Sequence, residues 1–136
     1  MSVASGAILE LNPGISIQPS IDLAGGNLVV EAPLSGGGYF SSVGSLSVSS
    51  NPTIEVKQGN TLTVTGNVST ASGSSSDLTL AGSGEFAVGA VNLGDSSPGT
   101  ISHVGSGTVQ FRSSLNVSRL ESTAGGTVWM LSLIHI

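Results

Sequence analysis

Short apolar–polar–apolar triplets recur along most of the chain, and they leave few folds open. They include Ile15-Ser16-Ile17, Ile21-Asp22-Leu23, Leu46-Ser47-Val48, Ile54-Glu55-Val56, Leu62-Thr63-Val64, Leu78-Thr79-Leu80, Val109-Gln110-Phe111 and Leu115-Asn116-Val117. A period of two sends successive side chains to opposite faces, so each triplet reads as a half-buried β-strand. The apolar members are mostly Val, Ile and Leu, which suit a pleated surface. No long stretch carries a 3.6-residue period, and the strong helix formers Lys, Gln, Arg and Met are scarce. The chain is expected to be all-β.

Glycine turns separate the triplets at a near-constant interval. They centre on Gly25, Gly59, Gly82, Gly105 and Gly125; the last four are spaced 23, 23 and 20 residues apart. Glycine suits a tight corner because such corners often need positive φ. A second register mark is Asn67, Asn92 and Asn116, at intervals of 25 and 24 residues. Asparagines at equivalent corners of stacked coils would form a structural ladder, each amide bonding the next. A repeat of this length holding two or three short strands is the signature of a β-solenoid. Its coils stack at about 4.8 Å, so five or six of them would make a rod roughly 25 to 30 Å long.

Residues 53–130 carry the regular repeats. Residues 1–52 are a less regular β segment, read as N-terminal coils, with Pro13, Pro19, Pro33 and Pro52 at corners because proline cannot donate to a ladder. Ser35–Gly38 and Ser72–Ser76 are expected to project as insertions. The competing architecture is an antiparallel β-sandwich. It would leave the 23-residue glycine echo unexplained.

Composition excludes several functions. Three basic residues and a net charge of −5 cannot supply the phosphate contacts that nucleic-acid binding needs. No apolar run is long enough for a membrane helix. With no Cys there are no disulfides and no thiolate metal sites. Residues 1–20 lack the basic and apolar regions of a signal peptide. At the other end, residues 131–136 back-translate to a string resembling the transposase mosaic end of sequencing libraries. They are expected to be adapter read-through, with an ordinary C-terminal strand as the alternative.

Titratable groups are too few and too scattered for an obvious catalytic centre. Asp77 and Asp95 stand in Ser/Gly loops and read as turn residues rather than as an acid/base pair. His103 alternates with Ile101, shares its side of the strand, and reads as structural. Arg112 and Arg119 have only Glu121 nearby, a surface ion pair of small value. No Gly-x-Ser-x-Gly elbow, phosphate loop or calcium nonapeptide is present. No catalytic, cofactor or metal residue is therefore assigned, and the chain is not read as an enzyme. Phe86 and Phe111 share one phase of the alternation and read as core. Tyr39 and Phe40 would stack on sugars if exposed.

The phrases Gly59-Asn60-Thr61-Leu62-Thr63-Val64-Thr65-Gly66-Asn67-Val68 and Gly105-Ser106-Gly107-Thr108-Val109-Gln110-Phe111 resemble autotransporter passenger regions and haemagglutinin-like adhesins. They are also similar to autotransporter-associated β-strand repeats. The resemblance covers about residues 54–130. It implies a right-handed parallel β-helix on the outside of a bacterial cell, acting as a stalk or adhesive surface. The implied partners are a host surface or glycan, with edge-to-edge self-association at the end coils. The competing readings are a fragment of a β-helical polysaccharide-active enzyme, or a phage tailspike, with active coils outside this window.

Overall fold

A computed structural model describes residues 1–32 and 39–130 and the backbone of 134–135. The proposed insertion at Ser35–Gly38 and the side chains of 131–136 lie outside the described residues. The strands fall into sets of three, one set per coil. The first coil holds β1 (Ser2–Ala4), β2 (Ile8–Leu11) and β3 (Ser16–Ile17). The second holds β4 (Ile21–Ala24), β5 (Asn27–Val30) and β6 (Tyr39–Val43). The third holds β7 (Leu46–Ser49), β8 (Thr53–Val56) and β9 (Asn60–Val64). The fourth holds β10 (Val68–Ser69), β11 (Leu78–Ala81) and β12 (Glu85–Val88). The fifth holds β13 (Val91–Asn92), β14 (Thr100–His103) and β15 (Thr108–Phe111). The sixth holds β16 (Leu115–Asn116), β17 (Arg119–Ser122) and β18 (Thr127–Met130), and β19 (Ile134–His135) follows.

Every third strand joins the same sheet. The first sheet runs β1-β4-β7-β10-β13-β16-β19, the second β2-β5-β8-β11-β14-β17 and the third β3-β6-β9-β12-β15-β18. Neighbouring strands pair in parallel throughout all three sheets, as between β4 and β7, β11 and β14, and β12 and β15. The chain is therefore a β-solenoid. A sandwich of antiparallel hairpins would pair strands that follow one another in sequence, whereas here each strand pairs with the third one along.

Register carries the alternation from coil to coil. In the first sheet Ile21 pairs with Leu46, Leu46 with Val68, Val68 with Val91 and Val91 with Leu115. In the third sheet Val43, Val64, Val88 and Phe111 form another such column. These columns merge into one apolar interior that also takes Leu62, Phe86 and Val109. A one-residue slip would turn a whole strand inside out, so interior burial fixes the register. Phe86 and Phe111 both point inward, as their shared phase predicts. In the first coil, which among the described residues is stacked on one side, Ile15 is exposed and Ile17 half-buried. Pro13, Pro19 and Pro52 all fall between strands, where no ladder donor is lost.

Candidate binding surface

Two kinds of corner give the solenoid its outline. Between the second and third sheets the connection spans 31–38 in the second coil, but from the third coil on it stays short: 57–59, 82–84, 104–107 and 123–126. Here each backbone lies directly on the coil before it. A Cβ on Gly82 would overlap the Val56 carbonyl, and one on Gly105 would overlap that of Gly82. Gly82 also has φ +90°, but Gly105 is outside the positive-φ region, so close approach and not φ demands glycine there. Gly59 (φ +87°) and Gly125 (φ +76°) belong to the same corner. They are out of step with the stacked pair, because Gly82 sits over Val56 and Gly126, not Gly125, sits on Gly105 and Gly107. Gly25 (φ +84°) turns a different corner, between β4 and β5.

Between the first and second sheets the connections lengthen to 70–77 and 93–99. Residues 72–75 project into solvent, while Ser76 is buried. Of the three asparagines, two meet: Asn116 Nδ2 donates to Asn92 Oδ1 at 2.9 Å and to the Gly94 carbonyl at 3.0 Å. Asn67 stands apart. Asn92 pairs in register with Ser69, so Asn67 lies two residues too early, and its backbone N–H reaches Ser45 Oγ instead. A different Asx series crosses this corner. Asn27 Oδ1 accepts from Thr53 N at 3.2 Å, Asn51 Oδ1 from Asp77 N at 3.0 Å, and Asp77 Oδ1 from Thr100 N at 2.8 Å. Each ties the start of a second-sheet strand to the coil before it. The signal was a polar residue just ahead of the inward-facing Leu28, Ile54, Leu78 and Ile101.

The titratable groups stay dispersed. Asp77 serves that series, whereas Asp95 bonds Asn92 in its own loop. Arg119 pairs with Glu121 on the surface, and Arg112 bonds Gln110. Lys57 holds Glu31 at 2.9 Å, and that hydrogen bond raises the ammonium above its usual range. His103 is buried at 2% exposure, and burial pushes its imidazole below the ordinary value. Among the described residues no three His, Asp or Glu side chains converge on a metal position. Asn60, buried beside the short corner, donates to the Glu31 carbonyl, and its Oδ1 finds no partner among the described residues.

Two surfaces are open to a ligand. A shallow groove of about 610 Å³ runs over the first sheet, where Asn67, Ser69, Asn92 and Asn116 alternate with the aliphatic Val68, Ala90 and Val91. The second surface is the outer face of the third sheet. Its columns pass from Phe40 through Thr61, Glu85 and Thr108 to Thr127, and from Ser42 through Thr63, Ala87 and Gln110 to Trp129. The chain has five aromatic residues, and the two buried ones are Phe86 and Phe111. Of the other three, Phe40 (75% exposed) and Trp129 (54%) stand on this face, whereas Tyr39 (39%) is in the inward phase of its strand, in register with the buried Asn60. A further hollow of about 300 Å³ adjoins Thr61, Glu85 and Thr108. Glu85 is held by Gln110 Nε2 at 2.9 Å, which leaves the face polar, with little free charge.

No helix among the described residues is long and apolar enough to cross a membrane. Compared with known proteins, the chain matches no family model, no curated protein and no solved structure.

Proposed function

We propose that the chain is a segment of an exported bacterial surface protein, in which the stacked coils form a stalk and the outer face of the third sheet is adhesive. The uninterrupted parallel register of three sheets carries the reading. Strands of successive coils bond one another through the length of the stack, and one apolar interior runs through it, so the unit is stiff and offers little loose backbone to a protease. Its outer residues repeat at the coil spacing of about 4.8 Å, a regular platform for a repeating ligand.

Exposed aromatics beside hydroxyls, an amide and little free charge suit a neutral glycan. Aromatic faces cover the apolar side of a sugar ring, while Thr61, Thr108 and Gln110 bond its hydroxyls. The test is retention of neutral polysaccharides by the purified chain, compared with Phe40→Ala and Trp129→Ala. Retention that falls about tenfold in either variant, with thermal stability unchanged, supports the adhesive face. Equal retention by all three proteins, or none by the parent, refutes it. Rapid digestion of the folded chain between β7 and β15, outside the exposed connections 70–77 and 93–99, would refute the stalk.

A further inference from the structure

One interior column of the second sheet changes character along its length. Leu9, Leu28, Ile54 and Leu80 follow one another in register, and the next two positions are His103 and Ser122. An aliphatic side chain would fit the fifth position, since four precede it. The imidazole there lies between the fourth coil below and the sixth above. Its Nδ1 is 3.3 Å from Ser122 Oγ. Its Cε1 occupies the space that a Cβ on Gly126 would need. The Thr123 N–H also bonds the His103 carbonyl at 3.1 Å. The sixth coil's short corner, 123–126, thus closes over this single ring.

We infer that His103 is an acid-sensitive latch: protonating it releases β17 and β18 from the stack while the inner coils stay folded. No charge compensates an imidazolium at this position. The neighbouring strands β11, β15 and β18 carry no charged residue. In β17, Arg119 and Glu121 pair with each other, and Glu121 alternates to the outer side, in register with Ser102. Glu85 in β12 faces outward to Gln110. A buried cation without a partner is strongly unfavourable, so the proton is accommodated by exposing the ring. The ring touches Ser122 and the corner at Gly126, both in the sixth coil, so exposing it parts β17 and β18 from the fifth coil.

The sign follows from burial. The folded form binds the proton less readily than the unfolded form, so stability is full above the ordinary histidine value of about 6.5 and falls as pH drops below it.

Amide hydrogen exchange of the whole chain at pH 7.5 and pH 5, corrected for intrinsic rates, tests the latch. Protection across 119–130 is expected to drop at least tenfold at pH 5, while 46–64 stays protected. His103→Leu should keep 119–130 equally protected at both pH values. Unchanged protection at pH 5, an equal loss in His103→Leu, or a loss shared evenly by all coils would each overturn the inference. Should the variant not fold, NMR titration of the parent's two histidines decides, with His135→Gln assigning the signals. A His103 midpoint below 6.5 that coincides with loss of protection supports the latch, and a midpoint at or above 6.5 overturns it.

Discussion

The short corner between the second and third sheets and the long connections between the first and second use the same residue for opposite reasons. At the short corner, Gly82 and Gly105 lie where coil backbones touch, and any side chain would wedge the stack apart. In the long connection, Gly73 (φ +78°) has nothing near its missing Cβ and serves only to reverse the chain in solvent. The next coil's connection, 93–99, meets this loop at Gly99, where contact with the Ser76 carbonyl once more excludes a Cβ. Coil stacking thus restricts sequence where backbones approach and leaves length free where they do not.

Alanine substitutions at these glycines should break the comparison if it is wrong. Gly82→Ala meets both a left-handed φ and a backbone overlap, and should cost about 4 kcal/mol in urea unfolding. Gly105→Ala meets the overlap alone and should cost about 2 to 3 kcal/mol. If it costs less than Gly73→Ala, close stacking is not what the short corner requires. Gly73→Ala itself has room and bears only the φ term, about 1 kcal/mol. The smallest effects should sharpen the loop side. Asn116→Ala loses two hydrogen bonds at a partly exposed site and should cost about 1 kcal/mol. Asn67→Ala touches no such ladder and should stay within about 0.5 kcal/mol. Equal losses at the two asparagines would mean that the side-chain bond between Asn92 and Asn116 contributes nothing.

Much of this architecture was legible in the chain. Period-two triplets announced strands because inward and outward faces need different chemistry, and Phe86 and Phe111 could be assigned to the interior by phase alone. The spacing of glycines announced coils, but only the step from Gly82 to Gly105 matches the register. Gly59 lies past Val56, the residue that Gly82 covers, because the register between the third and fourth coils shifts from 26 residues in the second sheet to 24 in the third. The same variation displaced Asn67 from Asn92, and it hid the series through Asn27, Asn51 and Asp77. The candidate binding face was legible in part. Phe40 stood out as an aromatic, but Trp129 joins it on one face only because 19 residues separate Gln110 from its register partner, and Tyr39 is turned to the inward phase.

The sequence by itself therefore determined the strand faces, the all-β class and the stacking of repeats, since burial of alternate residues is a local demand repeated many times. The tertiary structure decided which residues meet. Coil lengths vary with each connection, and a shift of one or two residues changes the partner of every corner side chain. It also decided the meaning of His103. A lone histidine on an apolar phase reads as structural in sequence. Its place above four aliphatic residues and beneath the last described coil, with no carboxylate facing it, is a property of the stack.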